Sequence, residues 1–240
     1  MIDSLSIILP FFNEDKRLNK TFKEIKFFIK KNRIKSKEFI FVDDGSDDKS
    51  MKMVNDFIKE NKFKNSKIKF VRLLKNSGKG AALKKGVKNS YGKWILTTDI
   101  DFSVPLSELD KWKKKKYMNK NENVYFGSRA HHSSNVKSKF YRKIIGNFLR
   151  FLISFVLGIS IKDTQCGFKL YKRSIAKKIF SNIKFYGYEH DIEIVLLLKK
   201  FRVKIVELPV TWKHVKLSKV NLLSDSFKIF FKVFLMKLKY

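Results

Sequence analysis

Asp99 and Asp101 stand two residues apart after the short apolar run Lys93-Trp-Ile-Leu-Thr97, and alternate residues of an extended segment point to one side. Two carboxylates so placed can approach one hard cation. Mg2+ or Mn2+ held this way keeps positions open for diphosphate oxygens and neutralises the charge that grows on a departing nucleoside diphosphate. An Asp-x-Asp in an arbitrary loop is only a pair of solvated acids; its place at a strand end, in company with other polar motifs, favours the metal. Asp43-Asp44-Gly45-Ser46 puts acids after another apolar run, where a carboxylate can accept hydrogen bonds from a ribose hydroxyl or a base N–H, while Ser46 or Asp47 can also cap the next helix. Gly78-Lys79-Gly80 opens a helix, so its backbone N–H groups and Lys79 are expected to face phosphate. The Walker spacing is missing, which removes an ATPase reading. His131, His132, His190 and His214 match no zinc spacing and are left out of the site.

The elements that must position these residues follow from the alternation of apolar runs with Lys-rich helical stretches. Leu5 to Leu9, Glu38 to Val42, Ile68 to Arg72 and Lys93 to Thr97 read as strands; Asp15 to Lys31, Asp47 to Glu60 and the stretch after Gly80 read as helices. That order implies an α/β fold, a mainly parallel central sheet with helices on both faces. In such sheets ligands lie beyond the carboxyl ends of the strands, and Pro10-Phe-Phe-Asn-Glu14, Asp43 to Ser46, Asn76 to Gly80 and Asp99 to Asp101 all fall there. The second half is less regular: a strand near Val124 to Gly127, helices near Lys139 to Leu157 and Glu189 to Lys200, and a strand near Val203 to Leu208.

The 240 residues suit one catalytic domain with an appendage. With 54 Lys and Arg against 22 Asp and Glu, the net charge of +32 suits a polyanionic surface such as an anionic lipid leaflet; compositional drift is the plainer alternative. Nucleic acid is the other polyanion, but no zinc finger, basic zipper or RNA-recognition signature is present and the strand-end motifs are acidic, so no nucleic-acid partner is expected. Cys166 stands alone, which fits a reducing, cytoplasmic setting, and the first residues do not read as a signal peptide. Phe148 to Ile161 is apolar but shorter than the ~20 residues a spanning helix needs. Residues 221–240 are expected to form a basic amphipathic C-terminal helix, with Phe227, Ile229, Phe230, Val233, Phe234, Leu235 and Leu238 among Lys228, Lys232, Lys237 and Lys239 from Ser224 onward. Such a helix either lies in an anionic interface or packs on the core.

Together, Pro10-Phe-Phe-Asn-Glu14, Val42-Asp-Asp-Gly-Ser46, Asn76-Ser-Gly-Lys-Gly80-Ala81, Asp99-Ile-Asp101 and Gly127-Ser-Arg129 resemble the family 2 glycosyltransferases, whose nucleotide-diphospho-sugar fold is of the GT-A type. Ile161-Lys-Asp-Thr-Gln-Cys-Gly-Phe-Lys169 and Gly187-Tyr-Glu-His-Asp-Ile-Glu193 are similar to the polyprenyl-phosphate branch, above all the dolichyl-phosphate β-glucosyltransferases and also the mannosyltransferases. The resemblance implies a catalytic domain over residues 1–220. In it Pro10, Phe12, Glu14, Asp43 and Asp44 hold the nucleoside, with Lys79 nearby. Asp99 and Asp101 bind metal and diphosphate, Arg129 and Arg142 hold phosphate groups, and Gln165 and Asp191 line the sugar pocket, Asp191 with a catalytic part. Trp212-Lys-His-Val215 departs from the branch's pattern, which leaves acceptor contacts there open.

The implied reaction is inverting transfer of a hexose, by preference glucose from UDP-glucose, to a polyprenyl phosphate, by an enzyme peripheral on the cytoplasmic face of a membrane. GDP-mannose as donor and a soluble glycan as acceptor are the alternatives.

Overall fold

The computed structural model describes residues 2–137 and 156–213, together with Lys232, Val233 and Met236. Arg142, His214, nearly all of the helix expected near Lys139 to Leu157 and most of residues 221–240 lie outside the described residues.

The expected alternation is present. β1 (Ser4–Phe11), β2 (Ser36–Asp43), β3 (Ser66–Arg72) and β4 (Trp94–Thr97) are separated by α1 (Asp15–Lys31), α2 (Ser50–Glu60) and α3 (Lys79–Lys88). β1 takes β2 and β4 as parallel neighbours and β2 takes β3, so these carboxyl ends share one edge of the sheet. After α4 (Glu108–Lys114) come β5 (Val124–Ser128) and the short β6 (Asn135–Lys137), then β7 (Lys169–Lys172), α5 (Arg173–Asn182), α6 (His190–Lys200), β8 (Val206–Pro209) and β9 (Thr211–Lys213). The main sheet runs β3-β2-β1-β4-β7-β5-β8, while β6 and β9 pair separately.

Periodicity did not find the short β6 and β9, nor β7, the one strand of the main sheet it missed, which breaks the parallel pattern. It is antiparallel to both β4 and β5, so its first residue, Lys169, arrives at the edge where the other strands end, opposite Thr97 and Phe126.

Each side of the sheet buries its own apolar cluster, as strand periodicity requires. Leu5, Ile7, Leu9, Phe39 and Phe41 face one way, onto Leu18, Ile25 and Phe28 of α1, Phe57 of α2 and Trp112 of α4. Ile8, Ile40 and Val42 face the other way, onto Ala82, Leu83 and Val87 of α3, Ile179 of α5 and the apolar residues of α6. Burying a side chain of this kind is worth about 1.5–3 kcal/mol. The helical face of α1 follows from apolar residues at 18, 22, 25 and 28; Asp15 in its first turn and Lys30 and Lys31 in its last complement its dipole. Phe22 stacks on Phe57 at 4.1 Å and ties α1 to α2. Val233 and Met236, from the expected C-terminal helix, are buried in the second cluster, so at these positions the segment packs on the core.

Candidate active site

Backbone hydrogen bonds lock the strand-end loops into one unit. The Ser77 and Gly78 amides donate to Asp44 Oδ1 and Oδ2 at 2.9 and 2.8 Å, so the acid after β2 holds the loop before α3. Burial, with Asp43 beside it, lifts the Asp44 carboxyl above its usual range against the pull of those two amides. The Gly80 amide donates to the Tyr186 carbonyl at 2.8 Å, which docks the segment before α6 on the same helix start. Gly78 has φ +98°, and a side chain there would overlap the Tyr186 carbonyl, so glycine is required. This corrects one expectation: the Gly78 and Gly80 amides, like that of Ser77, are spent on protein acceptors and do not face phosphate.

Lys79 Nζ donates to Asp99 Oδ1 at 2.6 Å. Burial opposes both charges, yet Asp99 holds Lys79 well above its usual value and Lys79 holds Asp99 below its own, so both stay ionised. Asp99 Oδ2 takes no hydrogen bond among the described residues, and the carboxylate is 41% exposed. A side chain on residue 167 would sit 2.6 Å from Asp99 Oδ2; Gly167 keeps that oxygen accessible.

Asp101 is more heavily engaged. Its Oδ1 accepts from the Ser103 amide and hydroxyl at 2.9 and 2.8 Å, and its Oδ2 accepts from Arg17 Nη1 at 3.1 Å. Arg17 forks onto the Glu14 carboxylate as well, so Glu14, Arg17 and Asp101 form one chain. Glu14, expected at the nucleoside, therefore has its carboxylate on Arg17. Pro10 is buried in the register with Val42, and Phe12 is half-buried just beyond β1. Asp43 is fully buried; its Oδ1 accepts the Ser46 amide at 2.8 Å, while Oδ2 lies 3.1 Å from Arg72 Nε without a hydrogen bond.

Arg129 and Asp163 form a forked pair. Arg129 Nε and Nη2 donate to Asp163 Oδ2 and Oδ1, each at 2.8 Å, and the Arg129 amide adds a third bond at 2.8 Å. Asp163 is held in turn: Glu207 on β8 accepts the amides of Lys162 and Asp163 at 2.9 and 3.0 Å. Burial opposes the guanidinium charge, but Asp163 more than offsets it and keeps Arg129 above its ordinary value, with Asp99 contributing. Two of the five guanidinium N–H groups go to Asp163. Gln165 is half-buried, and its amide donates to Asp163 Oδ1 at 3.3 Å. Next to it, burial pushes the Cys166 thiol up to about 12, so it is no nucleophile.

Asp191 opens α6, and its Oδ1 accepts from Lys169 Nζ in a pair that is almost wholly buried. Burial raises a carboxyl, but His190, Lys169 and Lys79 outweigh it and hold Asp191 at about 2. His190 is itself pushed down by burial, so at neutral pH Lys169 and Lys79 supply the positive field, and His190 adds to it only when acid protonates its ring. His190 Nδ1 lies 2.6 Å from the Gly187 carbonyl, and Nε2 faces Asp191 Oδ1 at 3.4 Å without a hydrogen bond.

Lys79, Asp99, Arg129, Lys169 and Asp191 thus share one electrostatic neighbourhood. Sequence reading missed Lys169, Asp163 and Arg17. The first two lie inside the motif 161–169 that was singled out, whereas Arg17 carried no signal beyond its place near Glu14 on α1. For a divalent cation Asp99 offers one accessible oxygen, Oδ2, whereas both Asp101 oxygens already accept from Ser103 and Arg17, and the two acids lie in a turn beyond β4, closed by the Phe102 amide on the Asp99 carbonyl, rather than in the extended segment expected. Among the described residues no third His, Cys, Asp or Glu joins them into a cluster.

Residues 6–180 match the family Glycosyl transferase family 2. The chain is 31% identical to the dolichyl-phosphate beta-glucosyltransferase of Homo sapiens over 227 residues, covering 90% of this chain and 69% of that one. With the dolichyl-phosphate beta-glucosyltransferase of Saccharomyces cerevisiae (strain ATCC 204508 / S288c) it shares 31% identity over 239 residues, 94% of this chain and 71% of the other. Among solved structures, glucosyl-3-phosphoglycerate synthase from Mycobacterium tuberculosis, in complex with Mn2+, UDP and glucosyl-3-phosphoglycerate, superposes with a TM-score of 0.70 at 13% identity, over 98% of this chain and 80% of that one. The fold is the GT-A arrangement that the motifs implied.

Proposed function

Because the chain belongs to glycosyl transferase family 2, and is therefore a glycosyltransferase, we propose that it moves glucose from UDP-glucose to a dolichyl or other polyprenyl phosphate at a membrane surface. One observation carries the choice of a phosphate acceptor. Asp191, the acid assigned to the sugar pocket, has its carboxylate tied to buried Lys169 and held at about 2, which makes it a poor general base for a hydroxyl acceptor at neutral pH. A phosphate monoester loses its second proton near pH ~6 and arrives as a ready nucleophile.

The chain's residues then have positioning and electrostatic work. Asp43, with an oxygen short of a donor, accepts from the nucleoside, and Pro10 and Phe12 flank it. Asp99 and Asp101 hold Mg2+ or Mn2+, which when bound offsets the charge of the donor diphosphate. Lys79 and the unspent N–H groups of Arg129 reduce the repulsion between two anions brought together. Asp191 and Gln165 orient the sugar. Attack opposite the leaving group inverts the anomeric centre.

Among the described residues no helix is long and apolar enough to cross a membrane. Attachment is proposed to be peripheral, on the cytoplasmic face, where the net charge of +32 meets anionic lipid.

The test is transfer by purified protein with Mg2+ or Mn2+ across UDP- and GDP-sugars, with and without a polyprenyl phosphate, and NMR of the product. Metal-dependent β-glucosyl transfer that needs the lipid phosphate is the expected result. Transfer from GDP-mannose, or to a soluble glycan alone, would replace the donor or the acceptor, and a retained anomer would overturn the mechanism.

A further inference from the structure

Six large apolar or aromatic side chains stand well exposed among the described residues, and Leu74, Tyr186 and Tyr188 belong to the two segments that frame Lys79. Leu74, at 104% exposure, is the most solvated of them. These segments are fastened side by side, through Asp44 to the Ser77 and Gly78 amides and through Gly80 to Tyr186. Their charges are sorted. Asp44 is turned onto backbone amides, Glu189 onto Lys232, Asp191 onto Lys169, and Glu193 onto the amides of Lys184 and Phe185. The exposed ammonium groups of Lys75 and Lys184 have no partner among the described residues. Lys84 stands 5.6 Å over the Tyr186 ring. A solvated leucine, two tyrosines and unpaired lysines, with the acids withdrawn, is the chemistry of a surface that enters lipid headgroups. The patch falls well short of the ≈ 20–30 residues a side that a protein partner needs.

We propose that the Leu74–Lys75 turn and the segment 183–188 form a rim that docks on an anionic bilayer. Leu74, Tyr186 and Tyr188 enter the headgroup layer and Lys75 and Lys184 meet lipid phosphates. Resting on the lipid-phosphate reading above, this seats Lys79 and Asp99 over an acceptor phosphate presented by that bilayer.

The test is sedimentation of the full chain with phosphatidylcholine vesicles carrying or lacking phosphatidylserine. The variant Leu74→Ser/Lys75→Glu/Lys184→Glu is set against Lys62→Glu/Lys64→Glu, an equal change in charge in the exposed connection before β3, at the opposite edge of the sheet. The rim variant is expected to lose about tenfold or more in partitioning to anionic vesicles, since each lysine near such a surface is worth about fivefold. It should keep UDP binding and turnover on a detergent-dispersed acceptor, and the control should bind nearly as the native chain does. Native protein that ignores anionic vesicles, a rim variant that binds undiminished, or a control that falls equally would overturn the rim. If native protein makes no lipid-linked product, the acceptor reading fails while the vesicle measurement still decides the rim.

Discussion

Replacing Lys169 with Met tests the centre of the electrostatic argument. The Lys169 ammonium is 1% exposed, pairs with Asp191 Oδ1 and stands 5.1 Å over the Phe126 ring. Met keeps most of the volume and removes the charge, leaving a buried carboxylate with only Lys79 as a nearby cation at neutral pH. Breaking a buried pair by deleting one partner costs about 3–5 kcal/mol. For a domain of this size that lowers Tm by roughly 6–20 °C, at 2–4 °C per kcal/mol. Urea unfolding at pH 7, with the slope unchanged, measures it. Lys169→Met/Asp191→Leu should recover most of the loss, because it removes the orphaned charge as well. The pH dependence has a definite sign. In the native chain the folded carboxyl is depressed from 3.8 to about 2, so its stabilisation is present above pH ~4 and lost as pH falls toward 2. In the variant, lowering pH from 7 toward 4 relieves the weakly paired carboxylate, by charging His190 beside it or by protonating the carboxylate itself, so the deficit against native protein should shrink. A loss below about 1 kcal/mol, or a double variant no more stable than the single one, would refute the pairing argument.

Asp99→Asn should lower metal-dependent turnover by about a hundredfold or more, by removing the charge that faces the diphosphate, with folding intact by circular dichroism. Asp163→Asn keeps shape but releases Arg129 from its charged fork; kcat is expected to fall about tenfold with the donor KM nearly unchanged, read by steady-state kinetics. Gly78→Ala forces a side chain at φ +98° against the Tyr186 carbonyl and should cost roughly 1–3 kcal/mol in urea unfolding.

Much of the fold and the outline of the site were legible in the residues. The stretches that became β1 to β4 and α1 to α3 alternate strand and helix periods, and local periodicity reflects burial on a two-faced sheet directly. Four acidic and glycine-bearing motifs followed those strands, and the parallel topology put them at one edge. β7 escaped because Lys169-Leu-Tyr-Lys172 is short and flanked by lysines; only pairing with β4 and β5 makes it a strand. The phosphate-facing amides of α3 were misread because their acceptors, Asp44 and Tyr186, lie 34 and 106 residues away along the chain.

Sequence alone therefore determined the layer architecture, the strand-end acids and the excess of positive charge, since these depend on residue type and short spacing. Tertiary structure alone decided which charges neutralise which: Lys169 with Asp191, Arg129 with Asp163, Lys79 with Asp99, and Arg17 with Glu14 and Asp101. Pairing energies depend on separation in space and on exclusion of water, and neither can be read from position along a chain.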